Sequence, residues 1–215
     1  MVDELPVLHR LALSYAPSSV REPTLALLAL DARLAAIVRS ASEPLLAQLR
    51  LAWWREQLQA EPTVRSAGDP LLAALRSWGN RRGALVRLVD GWEAMTGEAP
   101  LPASALENHA EARGGAFAAL AELVSAAGDR EAAARLGCDW ALADLSSRLS
   151  DPAEQRAARD LAEARDWRGT RLSRKLRPLA VLHGLARRTV RRGVGVGGPS
   201  PAAMLLAMRL GLLGR

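Results

Sequence analysis

The chain has 215 residues, 49% hydrophobic and 24% charged, which is enough apolar material to form the core of one sizeable domain and excludes a mainly disordered chain. Only 4% of the residues are aromatic, and alanine and leucine dominate, so the composition favours helices and argues against an all-β fold. The net charge of +6 is unevenly distributed, because residues 165–215 carry 12 basic residues and one acidic residue while residues 1–164 are net negative.

Helix-start signals and apolar residues at helical spacing divide the first half of the chain into several helices. We predict that the first long helix opens at Pro23 and runs to about residue 41. The next covers 42–58, with Ser42 as its cap. Asp69 followed by Pro70 predicts a third start, and a further helix follows it around residues 85–92.

The second half of the chain continues this pattern after a turn at 97–102. One long helix is expected to start at residue 103 and to end before Gly128, and the next helices are expected over 129–150, 152–164 and 173–192. The Gly-rich stretch 193–200 reads as a linker, after which a short amphipathic helix covers 201–215. The sequence therefore predicts an all-α single domain over residues 1–192 with a loosely attached C-terminal end.

Signals for export and for membrane spanning are missing from the sequence. No uncharged apolar run approaches the roughly 20 residues that cross a bilayer, and the N-terminus lacks the basic start and apolar stretch of a signal peptide. The single cysteine, Cys138, cannot form an internal disulfide, and no cysteine–histidine cluster has zinc-ligand spacing. We predict a cytoplasmic protein that is soluble or bound peripherally to the inner membrane face.

Local motifs for acid–base, nucleophilic or metal chemistry are weak. His9, His109 and His183 have no serine or cysteine partner in a recognisable pattern, and a structural role is expected for each. Glu107 and Glu111 lie four residues apart and share a helix face, as metal-binding carboxylates must. Such pairs are also common on solvated faces.

The segment over residues 12–58, which contains SEPLLAQLRLAWWRE, resembles the start of the squalene/phytoene synthase family. Weaker similarity continues through NHAEARGG at 108–115, through 136–149 and through the basic helix after residue 170. The first segment is especially similar to a divergent branch that includes relatives acting in mitochondrial complex I assembly. The resemblance implies an isoprenoid (prenyl) synthase type of helical bundle, in which active members fuse two prenyl diphosphates head to head.

The aspartates that this resemblance requires for magnesium are replaced in the sequence. Ala35, Ala36 and Arg39 stand at the first aspartate signature, and Arg148 stands at the end of the second. A guanidinium within ~5 Å of a divalent ion opposes its binding by several kcal/mol at intermediate dielectric. The chain is also short for the family, so a truncated bundle is expected. We predict no catalytic residue, no metal and no cofactor, with a residual polar site drawn from Asp31, Glu107, Glu111, Asp139 and Asp144.

The function predicted from the sequence is therefore that of a catalytically degenerate family member, an accessory, assembly or interaction factor. The alternative is an active, Mg-dependent head-to-head prenyl diphosphate transferase of isoprenoid or carotenoid synthesis. In that case Asp139, Asp144, Glu107 and Glu111 would rebuild a metal site.

Two surfaces are predicted to meet partners. Trp53, Trp54 and Arg55 form the first, and because neighbouring residues on a helix are 100° apart, one tryptophan should pack in the core and the other lie at an edge. The basic region 165–215 is predicted to attract an anionic membrane surface. Nucleic acid is disfavoured because Trp167 is the only aromatic residue there that could stack on a base. The protein partner is unidentified.

Overall fold

The computed structural model describes residues 1–41, 43–60, 68–192 and 200–214. Within these ranges the regular structure is entirely helical, which confirms the predicted all-α class. Short 3₁₀ turns join several of the α-helices, whose bounds are α1 Val7–Ser14, α2 Ser18–Ser40, α3 Pro44–Gln59, α4 Pro70–Ala74, α5 Arg82–Glu93, α6 Ala103–Leu123, α7 Arg130–Arg148, α8 Pro152–Glu163, α9 Arg177–Arg192 and α10 Pro201–Leu213.

Side-chain caps start three helices where the sequence indicates them. The Asp69 carboxylate accepts hydrogen bonds from the backbone N–H groups of Leu71 and Leu72 at the start of α4. Asp151 does the same at the start of α8, and Ser200 caps α10. These contacts satisfy N–H groups that have no partner within the helix. The predicted cap at Ser42 and the predicted linker 193–200, except for residue 200, lie outside the described residues.

Two helix boundaries differ from the prediction. The helix expected to open at Pro23 begins at Ser18 and contains Pro23 in its second turn. The proline there removes one backbone hydrogen bond near the helix start, where the loss is tolerated more easily than in the middle of a helix. The long helix expected to reach almost to Gly128 ends at Leu123, and Ser125 just beyond it adopts φ 55°. α1 was not among the predicted helices.

The close crossing of α6 and α7 lies at the centre of the molecule. A Cβ atom at Gly114 would lie 2.5 Å from the carbonyl oxygen of Ala134, and one at Gly137 would lie 3.1 Å from the Cα of Gly114. Only glycine allows the two backbones this approach. The crossing therefore fixes the register in which residues of α6 face residues of α7.

The remaining helices pack around this central pair. α5 covers one side of α6, while α8 and α9 pack against α7. α3 packs on the outer side of α5, and α1 packs against α9. α2 brings its buried residues, from Val20 to Ile37, to the interior. This arrangement points α2, α6 and α7 toward one buried polar centre.

The C-terminal helix is attached to the bundle, in contrast to the loose attachment expected from the sequence. α10 packs on α9, and Arg177 donates a hydrogen bond to the carbonyl oxygen of Gly211 at 2.9 Å. A Cβ atom at Gly211 would overlap the ring of Tyr15, so glycine is required for this packing. Throughout the described ranges, helices fall short of the length and apolarity that spanning a bilayer requires.

Candidate functional site

Arg113 of α6 lies between two carboxylates that come from different helices. Its Nε is 3.0 Å from both carboxylate oxygens of Asp31 on α2, and a second guanidinium nitrogen also contacts Asp31. The remaining terminal nitrogen donates to Asp144 of α7 at 3.0 Å. Arg113 is only 3% exposed. One guanidinium therefore joins three helices through charge-assisted hydrogen bonds.

Aromatic rings and a second arginine complete this centre. The guanidinium carbon of Arg113 lies 4.0 Å from the ring centre of Trp140, close enough for a cation–π interaction. Trp92 donates its indole N–H to Asp31 at 2.9 Å. Arg148 donates to the other oxygen of Asp144 at 2.6 Å. The two carboxylates and two guanidinium groups form the buried ion cluster, whose formal charge is zero.

The charges within the buried ion cluster keep both carboxylates ionised. Burial by itself would raise the pKa of Asp31, but the charge and hydrogen bonds of Arg113 hold it below its usual value. Burial would likewise raise the pKa of Asp144, and Arg113 and Arg148 together lower it to about 2. The pKa of Arg113 is raised despite its burial because both aspartates favour its charged form.

Two buried histidines flank the buried ion cluster in their neutral form. Burial lowers the pKa of His9 to about 4 and that of His109 to about 4. His9 packs edge-on against Trp140, and His109 packs edge-on against Trp92. All three histidines, including His183, are at most 3% exposed, which agrees with the structural role expected for them.

A magnesium ion does not fit the donor set of the buried ion cluster. All four carboxylate oxygens of Asp31 and Asp144 already accept hydrogen bonds from guanidinium N–H groups, and one oxygen of Asp31 also accepts the indole N–H of Trp92. A divalent ion ~5 Å from the charge of Arg113 would meet a repulsion of roughly 7 kcal/mol at an effective dielectric of 20. In the portion of the chain that the structure describes, no three His, Cys, Asp or Glu side chains come together as metal ligands.

A cavity of about 180 Å³ opens beside the buried ion cluster, between α1, α7 and α9. Its walls are mostly apolar, with Trp140 and Leu182 among them, and Asp144 and Arg148 supply its charged side. Ligand pockets for small molecules commonly have 300–1,000 Å³. The cavity is therefore too small to hold two prenyl chains side by side.

Asp139 belongs to a second, separate ion group. One of its oxygens accepts a 2.7 Å hydrogen bond from Arg165, and the other lies 3.4 Å from Nε2 of His183 and 3.6 Å from Arg135. Burial would raise the pKa of Asp139, but the contacts with His183 and Arg165 hold it below its usual value. Asp139 and Asp144, which the sequence suggested as one residual site, are thus paired with different arginines.

The structure brings together only part of the predicted polar site. Asp31 and Asp144 meet through Arg113, whereas Glu107 and Glu111 are exposed on another face of α6. Four carboxylates therefore do not converge as the rebuilt metal site of the alternative function would require.

The positions predicted to replace the aspartates divide between the interior and the surface. Ala35 is buried, and Ala36 lines a small pocket near the N-terminus of the chain. Arg39, which could have converged with Arg148, is exposed in the last turn of α2. Two turns separate it from Asp31, which is the residue of α2 that faces the centre. Arg148 does lie there, as an ion-pair partner of Asp144.

The tryptophan pair on α3 separates as its helical geometry predicts. Trp54 is 3% exposed and packs in the core, and Trp53 is 39% exposed. Arg55, predicted as part of the same interaction surface, is instead held within the molecule by Asp90 and Glu93 of α5. The guanidinium of Arg55 is therefore not available at the exposed surface beside Trp53.

Sequence reasoning missed Arg113 and Trp92, which make the central contacts. Arg113 lies within the NHAEARGG segment, four residues after His109 and on the same helix face. A single arginine on a face otherwise composed of small and apolar residues was the available signal. Its partners lie 82 and 31 residues away along the chain, so the sequence could not assign them.

The structure defines an all-helical bundle in which α2 and α7 present facing carboxylates across a central helix. Residues 9–145 match the squalene/phytoene synthase family, and this segment is more than half of the chain. The chain belongs to that family. No curated protein and no solved structure matches the chain.

Proposed function

We propose that this protein is a catalytically inactive member of the squalene/phytoene synthase family that works by binding other molecules, as an accessory or assembly factor. The observation that carries the proposal is Arg113, whose guanidinium lies between Asp31 and Asp144. Ionising an allylic diphosphate needs a concentration of positive charge that faces the substrate. The positive charge of Arg113 is already neutralised by its own carboxylates, and it is buried.

An exposed apolar row on α3 supports the binding role. The row is formed by large side chains on one face of the helix, Leu45, Leu46, Leu49 and Trp53. A contiguous exposed apolar patch is unusual for a protein surface that meets only water, and a partly exposed tryptophan is a frequent anchor in protein interfaces. We propose that a protein partner contacts this row, here named the α3 apolar row.

A membrane-peripheral location at the inner face of the cytoplasmic membrane forms part of the proposal. α10 turns five large apolar side chains outward, with Leu205 the most exposed at 67%. The neighbouring α9 ends in two arginines, Arg191 and Arg192. Apolar side chains next to cationic ones suit the boundary of an anionic bilayer. Trp167 is buried against His183 and therefore cannot stack on a nucleic-acid base.

The activity test incubates the purified protein with Mg²⁺ and either farnesyl or geranylgeranyl diphosphate and measures pyrophosphate release. We expect no release above that of a heat-denatured sample. Release that disappears in Asp144→Ala would overturn the proposal and favour the alternative, an active head-to-head prenyl transferase. The Asp144→Ala sample must retain its helical circular dichroism for this comparison to count.

The binding test compares partner capture by the wild type with capture by Leu49→Glu and Trp53→Glu. We expect both substitutions in the α3 apolar row to reduce capture at least tenfold, because each places a charge in an apolar contact. Ala153→Glu, at an exposed position in the first turn of α8, adds the same charge elsewhere and should leave capture unchanged. Equal capture by all four proteins would contradict an interface on α3.

A further inference from the structure

A groove of about 650 Å³ runs along the outer face of α6, between α5 and α7 and on the side facing away from Arg113. The side chains with charge along its rim are mostly arginines, namely Arg81, Arg87, Arg130, Arg135 and Arg165. Glu111 and Glu122 are the carboxylates in its lining. We call this feature the arginine groove, and neither the buried ion cluster nor the α3 apolar row includes any of its residues.

The arginines of the groove outnumber the carboxylates available to them. At one end, Arg81 and Arg130 share Glu122, at 3.6 Å and 2.6 Å. At the other end, Arg135 and Arg165 share the buried Asp139. Glu111, the remaining carboxylate of the lining, also acts on Arg165, so three carboxylates face the five arginines and the groove as a whole retains positive charge.

Arg87 adds a further uncompensated charge along the rim. It is exposed, and it makes no hydrogen bond or ion pair with any residue in the described ranges. A guanidinium placed at a surface without a carboxylate partner is free to pair with an anionic group of a ligand.

The floor of the groove is made of small residues, with Gly115, Ala118 and Ala134 among them. A Cβ atom added to Gly115 would have no atom within 4 Å, so this part of the floor is open to a ligand. Along α6 the two ends of the groove are marked by Glu111 and Glu122. At 1.5 Å per residue they are about 16 Å apart. A compact diphosphate is too short to reach the arginines at both ends of the groove at that separation.

We propose that the arginine groove binds an acidic helical segment of a partner protein. Small floor residues let a helix approach closely, and carboxylates about three turns apart on that helix would meet the arginine pairs at the two ends of the groove. This inference deepens the proposed binding function, on which it rests, by naming the chemistry of a partner. It concerns a face of the molecule that is separate from the α3 apolar row.

The test measures binding of a fluorescent, lactam-bridged helical peptide of about 18 residues, long enough to span the groove. The peptide is alanine-based and carries two pairs of glutamates about 16 Å apart on one face. The comparison peptide has glutamine at the same positions. We expect the glutamate peptide to bind at least tenfold more tightly than the glutamine peptide at low salt. Its affinity should fall as sodium chloride is raised.

Matched variants test whether the peptide binds in the groove. Gly115→Glu puts a negative charge on the floor and should weaken binding at least tenfold, while Gly115→Ala should change it less than twofold. Arg87→Gln should weaken binding three- to tenfold. Arg159→Gln, which removes the same charge from the exposed face of α8, should leave it unchanged.

Several results would overturn the inference. Equal affinity for the two peptides would show that the glutamate charges play no part in binding. Undiminished binding to Gly115→Glu would show that the peptide binds outside the groove. Tripolyphosphate or a short single-stranded DNA that binds more tightly than the peptide, and is weakened by the same variants, would assign the groove to phosphate instead. These outcomes leave the α3 capture test untouched, and prenyl transferase activity would refute the proposed function without affecting the peptide measurements.

Discussion

Arg113 places one positive charge between two buried carboxylates. Facing carboxylates repel each other in a protein interior, and a positive charge between them is required to keep both ionised. Here that charge is covalently part of α6 and is paired with Asp31 and Asp144 in fixed directions. Together with Arg148, which pairs with Asp144, it brings the formal charge of the centre to zero. The paired charges join α2, α6 and α7, so losing one partner would leave an uncompensated charge in the interior.

Removing the Arg113 charge should destabilise the fold strongly. Arg113→Met leaves the buried Asp31 without a cation and Asp144 with Arg148 alone, and it should lower the free energy of unfolding by about 3–5 kcal/mol. Arg148→Gln is the control, because Arg148 is partly exposed and its pair with Asp144 should be worth no more than about 1 kcal/mol. Urea unfolding followed by circular dichroism measures both. A loss below about 1 kcal/mol for Arg113→Met would contradict the central role of this residue.

The buried histidines predict a loss of stability on mild acidification. His9 and His109 have pKa values of about 4 in the folded protein, below the value of about 6.5 expected when unfolded. Between these values the unfolded chain binds more protons, so the free energy of unfolding falls as the pH decreases from about 7 to 4. At pH 4.5 each histidine should cost roughly 2–3 kcal/mol.

Urea unfolding at pH 7 and pH 4.5 tests this dependence. His9→Phe keeps a ring against Trp140 and removes one titrating group, so about half of the pH-dependent loss should disappear. The carboxylate of Asp144, with its pKa of about 2, remains charged over this range and contributes its own loss only at lower pH. Stability that is unchanged between pH 7 and 4.5 would show that the histidines are not buried as neutral groups.

At the scale of the helices, two adjacent glycines of α6 should respond in opposite directions to the same substitution. Gly114→Ala forces a Cβ atom to within 2.5 Å of the carbonyl oxygen of Ala134 and should destabilise the α6–α7 crossing by about 1–3 kcal/mol. Gly115→Ala meets no atom within 4 Å and should stabilise the helix by up to about 1 kcal/mol. Thermal unfolding midpoints would show the difference, and a similar shift in both variants would contradict the packing at Gly114.

Local signals in the sequence predict the helices well because they act over a few residues. Asp69 and Asp151 cap helices as expected, since a cap needs only the following three N–H groups. Trp53 and Trp54 separate into exposed and buried positions because adjacent helical residues point 100° apart. The predicted start of α2 was wrong because proline is common in the first turn of a helix, whereas Pro23 lies in the second turn of α2.

The candidate site depends on contacts between residues that are far apart in the sequence, which local sequence signals cannot predict. Asp31 and Arg113 are 82 residues apart, and their pairing follows from the crossing of α6 with α7 and the placement of α2. The sequence singled out Arg148, and this residue does lie at the centre, as the ion-pair partner of Asp144. To predict that Arg113 occupies the centre and that Arg39 lies outside it, one must know the register in which α2, α6 and α7 pack.

For the whole molecule, charge is distributed unevenly along the chain. The basic excess is concentrated in residues 165–215, which include α9 and α10, while the rest of the chain is net negative. α10 adds outward apolar side chains to this basic region. The α3 apolar row and the arginine groove lie on other helices. A membrane contact through α9 and α10 would therefore leave both of the proposed protein-binding surfaces accessible.

Vesicle sedimentation tests the membrane contact directly. We expect the protein to sediment with phosphatidylcholine vesicles that contain about one third phosphatidylglycerol and to remain in solution with pure phosphatidylcholine, since each arginine near an anionic surface contributes about 1 kcal/mol. Leu205→Asp should reduce the bound fraction severalfold, because it removes an outward apolar side chain of α10 and adds repulsion. Leu49→Asp makes the same change on α3 and should bind vesicles as the wild type does. Binding that is equal for neutral and anionic vesicles, or equally weakened by both variants, would exclude the basic C-terminal region as the membrane contact.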